Sequence, residues 1–191
     1  MEALQPVAKI FTSTATLAPR ECIAIFHRWI QRGRLPGMLL LDVVDYSHVS
    51  DDPVVLLVAH EGFLSLDREH QNGAETRLGL QWRVRRGEPV PAAEGLRAAV
   101  RTLLPAAAAF EEDAGGKIRF APGELQVGFD DRAGAPNDAA TFAALSGDLQ
   151  AVARSLYPDG SAAPSADPKS CFRASLHGSA ASLAELITRA G

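Results

Sequence analysis

Asp42, Asp45, His48, His60 and Glu61 are the residues of this chain whose types could act together chemically. Carboxylate oxygens and imidazole nitrogens are ligands for a divalent metal. Held by three such groups with one position open, the metal lowers the pKa of bound water and polarises an electrophile. In that reading Asp45, His48 and His60 are the candidate metal ligands. Asp42, His60 and Glu61 are the candidate catalytic groups, with Glu61 as proton acceptor. The spacing matches no specific metalloprotease pattern. Alternation along a strand also turns Asp42 and Asp45 to opposite faces. Asp42 interrupts an apolar run, where a buried carboxylate needs a partner such as Arg83, Arg85 or a backbone amide.

The stretch that must position these groups is Pro36 to Glu61, PGMLLLDVVDYSHVSDDPVVLLVAHE. Its apolar runs, Met38–Val44 and Val54–Ala59, are short and rich in β-branched residues. They read as neighbouring strands deep in a sheet. Ser50-Asp51-Asp52-Pro53 reads as the turn between them.

The rest of the chain supplies a scaffold. Val7–Phe11 reads as a strand and Thr12–Leu17 as a turn region. A helix follows from Pro19 to about Arg32, with Glu21 in its first turn and Gly33 as its stop. Cys22, Ile23, Ile25, Phe26, Trp29 and Ile30 form its apolar face, with His27 at the boundary. Gly62–Asp67 reads as a further short strand or an excursion, and Asn72-Gly73 is a turn signal. Arg77–Val84 alternates, with Leu78, Leu80, Trp82 and Val84 on one face, as in a half-buried antiparallel strand. Ala92–Asp113 is helical, with a kink or split expected at Pro105. Lys117–Phe120 and Glu124–Asp130 read as a hairpin across Ala121-Pro122-Gly123. Asn137 or Asp138 caps a helix that ends near Leu156. Ser161–Lys169 reads as a mobile loop and Cys171–His177 as a strand. Ser182 and Glu185 form a capping box before the last helix.

Adjacent strands and hairpins, rather than repeated strand–helix crossovers, predict an α+β fold: a mixed, mainly antiparallel sheet with amphipathic helices packed on it. The 191 residues suit one compact domain over 1–191, with subregions 1–114 and 115–191 meeting at Gly115-Gly116. A chain of this length buries about 70% of its unfolded surface and needs no disulfide or metal staple. Its two cysteines, Cys22 and Cys171, form no CxxC pair, which argues against a secreted disulfide scaffold. A formal charge of −4 argues against nonspecific binding to nucleic acid or anionic membranes. No apolar stretch reaches the roughly 20 residues of a membrane span, so a cytoplasmic location is expected.

Arg83, Arg85, Arg86 and Arg97, extended by Lys117 and Arg119, form a candidate basic surface for a small anionic ligand or acidic partner. There is no Gly-rich phosphate loop and no paired-aromatic nucleic-acid motif. Asp130-Asp131-Arg132 reads as a salt-bridged turn. The segments FHRWIQ (Phe26–Gln31), LLLDVVDYSHV (Leu39–Val49), LLVAHEGFLSLD (Leu56–Asp67) and APNDAATFAAL (Ala135–Leu145) resemble a family of small bacterial proteins without an assigned activity. That resemblance implies a compact bacterial cytosolic protein and transfers no mechanism. The expected function is a noncatalytic binding or interaction domain, self-associating through an exposed sheet face or edge. The alternative is a divalent-metal-assisted hydrolase.

Overall fold

The computed structural model describes residues 2–3, 5–48, 55–69, 77–164, 170–180 and 182–191. The turns expected at Ser50-Asp51-Asp52-Pro53 and Asn72-Gly73, and the end of the loop expected over 161–169, lie outside the described residues. In chain order the elements are β1 (Glu2–Ala3), β2 (Pro6–Ala15), α1 (Pro19–Arg32), β3 (Leu40–Asp45), β4 (Val55–Ala59), β5 (Gly62–Glu69) and β6 (Arg77–Val84). There follow β7 (Val90–Pro91), α2 (Ala92–Asp113), β8 (Ile118–Phe129), α3 (Ala139–Leu156), β9 (Ser161–Pro164), β10 (Phe172–His177) and α4 (Leu183–Ala190).

Eight strands form one sheet in the order β3-β4-β5-β6-β2-β8-β10-β9, and each neighbouring pair in it is antiparallel. β1 and β7 make a separate short ladder. The α+β architecture read from the sequence is therefore present, with helices packed on the sheet. Register explains which residues face them. Ala8 lies between Trp82 and Val127, and Ile10 lies between Leu80 and Leu125. These residues join the buried faces of all four helices in one hydrophobic cluster. That cluster draws on both sides of Gly115-Gly116, and β2 pairs with β8 across the same boundary.

Local chemistry accounts for the helix ends. In α1, Pro19 occupies the first turn, Glu21 Oε2 accepts from the Ala18 amide at 2.9 Å, and Gly33 ends the helix with φ 57°. Asp138 caps α3 by accepting from the Thr141 amide at 2.8 Å. Ser182 caps α4 by accepting from the Glu185 amide at 3.2 Å. The Phe26, Trp29 and Phe110 rings pack α1 against α2, and Trp29 Nε1 donates to Asp113 at 2.7 Å. α2 runs on through Pro105, whose ring is exposed.

Four expectations about elements are corrected. β3 is not deep in the sheet; it is an outer strand. Residues 118–129 form one strand rather than a hairpin, because the segments on both sides of Ala121-Pro122-Gly123 pair with β2, through register shifts. Pro122 is tolerated at that irregularity, and its carbonyl accepts from Tyr157 Oη at 2.9 Å. β2 continues to Ala15 for the same reason, since Thr12, Thr14 and Ala15 pair with the first part of β8. Ser161–Pro164 is an edge strand on β10 rather than loop.

Candidate functional site

The acidic and imidazole groups are divided by the β3–β4 hairpin. Asp45 pairs with Val55 at the loop end, whereas Leu40 pairs with Ala59 at the other. The His60 amide donates to the Leu39 carbonyl at 2.9 Å, which fixes His60 beside the start of β3. Five or so residues at about 3.3 Å each separate the two ends by about 16 Å. The set Asp45, His48 and His60 is therefore not brought together, and the described residues contain no group of three or more His, Cys, Asp or Glu that could hold a metal.

Asp42, Asp45 and Glu61 each accept from a nearby backbone amide instead. Asp45 accepts from the Ser47 amide at 2.8 Å. The Ser47 hydroxyl and amide, with a smaller pull from His48, hold the Asp45 carboxyl below its usual range. Asp42 is exposed rather than buried, and accepts from the Val43 amide at 2.8 Å. His60 is 74% exposed, with Nδ1 4.0 Å from Glu61. Glu61 accepts from the Leu39 amide at 3.3 Å.

The arginines are dispersed too. Arg85 donates to the carbonyls of His60 and Ala59 at 2.8 and 3.1 Å, clamping the β4–β5 turn. Arg86 is exposed beyond it. Arg83 pairs with Asp130, without hydrogen-bond alignment, and Arg173 binds the same carboxylate. Asp130 thus ties β6 and β10 to the end of β8 instead of serving the turn, while Asp131 accepts from the Gly134 amide. Arg97 lies on α2, apart from the other three.

The largest feature absent from the sequence reading is the sheet face opposite the helices. Register sets Ser65, Gln81, Lys9, Gln126 and Ser175 in one row across it. Lys9 is 2% exposed, and its Nζ pairs with Asp67 at 2.5 Å. Ser65 Oγ donates to the other Asp67 oxygen at 2.6 Å. Gly79 makes this possible: a Cβ there would stand 2.7 Å from Lys9 Cε. Gly128 does the same for Arg173, whose Cδ would lie 3.0 Å from an added Cβ. Phe11 is covered by Arg77, whose guanidinium carbon is 3.8 Å from the ring centroid and which holds Glu124 with two hydrogen bonds at 2.8 and 2.9 Å. Long ion-paired side chains therefore close the centre of this face. The sequence signal was a glycine inside an alternating strand, which marks a close approach.

The outer edge of β3 is different. Leu39, Leu41 and Tyr46 are 58%, 49% and 44% exposed, and they are the large hydrophobic side chains that stand exposed among the described residues. All three lie on β3 or at its ends. Leu41 is the extra residue at a register shift between β3 and β4. Leu40 and Val43 turn inward and pack against the core, so the strand is anchored while its rim is apolar. The opposite edge, β9, presents Ser161, Ala163 and Pro164. Proline and small residues blunt an edge against pairing.

No family model matches this chain, and no curated protein sequence matches it. Among the described residues, no helix is long and apolar enough to cross a membrane.

Two outcomes follow from the chemistry of individual groups. Burial pushes the Cys22 thiol far above its usual range, whereas Cys171 is partly accessible. A thiol-reactive disulfide reagent should modify one cysteine per chain quickly in the native state, and the second only on unfolding. Asp159 accepts from the Ser179 amide and hydroxyl at 2.8 and 2.7 Å, bracing the connection from β10 to α4. These bonds hold its carboxyl below the ordinary value of 3.8, with Arg189 adding a smaller pull. A depressed carboxyl stabilises the fold fully above its unfolded value and loses that contribution as the pH falls through the folded value. Amide exchange in α4 should therefore quicken as the pH drops below 3.8, after correction for the intrinsic rate. Asp159→Asn should flatten that dependence.

Proposed function

We propose that this protein is a noncatalytic interaction domain that pairs with a second copy of itself along β3. The observation that carries this reading is the confinement, among the described residues, of the exposed large hydrophobics to the outer strand and its ends. The opposite sheet face is a poorer docking surface, because its polar groups already satisfy one another at the centre.

Strand addition also supports a second copy as the occupant. In an antiparallel pair with a two-fold axis normal to the sheet, residues on the same face meet. Centred on Val43, Asp42 meets Val44 of the second copy, and no carboxylate faces a carboxylate directly. Leu39 and Tyr46 flank the strand, Leu41 lies within the ladder opposite Asp45 of the second copy, and all three lose exposed apolar surface. The blunt β9 edge limits the assembly to two chains. A six-residue strand makes a small interface, so the dimer should dissociate on the order of micromolar concentration.

Sedimentation equilibrium across the micromolar range tests this. The mass should rise from one chain toward two with concentration; a single-chain mass throughout would end the proposal. Metal-assisted hydrolysis, the second reading of the sequence, needs Asp45, His48 and His60 on one ion, and the hairpin register keeps the first away from the third.

A further inference from the structure

We propose that the cleft between α2, α3 and α4 binds a phosphate group, free or carried on a small organic molecule. The cleft has a volume of about 170 Å³ and is walled by Arg97 and Arg101 of α2 and Arg189 of α4, with Ser155 of α3 beside them. Its floor includes the buried side chains of Val152 and Leu156. Three guanidinium groups thus surround an indentation with an apolar base, and their states differ.

Arg189 is fixed. It donates to the carbonyl of Leu156 at 3.0 Å and to that of Ser179 at 3.4 Å, and its charge is matched by Glu185. Among the described residues, Arg97 and Arg101 have no hydrogen bond, ion pair or ring contact involving their side chains. They lie four residues apart, so they project from the same face of α2 and repel one another. The cleft, which Gly191 also lines, therefore carries two guanidinium groups without a side-chain partner among the described residues, in a protein whose formal charge is −4.

A dianionic, tetrahedral oxyanion answers both features. Each free guanidinium can offer a planar fork to a different pair of oxygens, and the two charges are neutralised. A carboxylate offers one pair of oxygens and one charge. The apolar floor accommodates a small hydrocarbon group attached to the phosphate. This site retains Arg97 from the basic surface expected in the sequence and replaces Arg83, Arg85 and Arg86 by Arg101 and Arg189.

The test is a backbone-amide NMR titration of the whole chain with inorganic phosphate and with phenyl phosphate, each against sodium chloride of matched ionic strength. Saturable shifts should centre on Arg97, Arg101 and Ala190. The Arg97→Gln/Arg101→Gln double variant should weaken binding at least about tenfold, while Arg20→Gln, on the exposed face of α1, should leave it unchanged. Both substitutions retain good helix formers at accessible positions. Tighter binding of phenyl phosphate would assign the site to a phosphomonoester, and equal binding would assign it to free phosphate. The proposal is overturned if neither probe saturates, if chloride reproduces the shifts, or if the double variant binds as well as the unaltered protein.

Discussion

Leu41→Lys should convert a concentration-dependent dimer into a monomer, raising the dissociation constant at least about tenfold. Leu41 is 49% exposed and sits at the β3 bulge, so the substitution removes little from the core. The stability of the single chain should change by no more than about 0.5 kcal/mol. A lysine on an open strand edge opposes pairing, because it replaces apolar surface that docking buries with an ammonium that docking must desolvate, a cost that Asp45 of the second copy, opposite it in this register, only partly offsets. Ala163→Lys on β9 is the matched control, and should leave association as it was. Light scattering on size-exclusion fractions reads both. Unchanged association in Leu41→Lys would remove β3 from the interface.

The second large effect concerns the helix-free face. Lys9→Met should destabilise the fold by about 3 kcal/mol, the low end for removing one partner of a buried ion pair. The figure sits low because Asp67 is 17% exposed and keeps the Ser65 hydroxyl. For a chain of this size that corresponds to a fall of roughly 6–12 °C in Tm. Lys9→Met with Asp67→Asn should recover much of the loss, since no buried charge is then left alone. Thermal unfolding of Lys9→Met, Asp67→Asn and the double variant measures the coupling. A loss in the double variant equal to the sum of the two single losses would mean that the 2.5 Å contact contributes nothing by itself.

The fold was legible where the signal is local. Arg77–Val84 alternates and is a strand; Asp138 and Ser182 are cap residues and cap helices. It was illegible where partners are distant in sequence. Nothing within Leu40–Asp45 distinguishes a central strand from an outer one, since β-branched apolar residues suit both. Pro122 reads as a turn residue, and only its long-range pairing with β2 reveals a continuous irregular strand. Lys9 occupies an ordinary outward position in an alternating strand. Its burial depends on Gly79 and Asp67, which register sets side by side on neighbouring strands.

The hairpin contained a usable signal. Consecutive antiparallel strands bring the end of the first to the start of the second. Asp45 therefore had to lie near Val55, and His60 near Leu39, whatever the loop between them did. Grouping Asp45 with His60 because each follows an apolar run overlooked strand direction. The apolar rim of Leu39, Leu41 and Tyr46 was hidden for the opposite reason, because an apolar run is read as core until an edge position is known.

Hydrogen exchange of the Leu40–Asp45 amides as a function of protein concentration decides whether β3 is the seam between two chains. If two chains join along β3, outward-facing amides of this strand should gain protection as the dimer forms, while β9 amides keep the same rates at every concentration. A dimer that forms with no added protection in β3, or with the added protection elsewhere, would contradict the account.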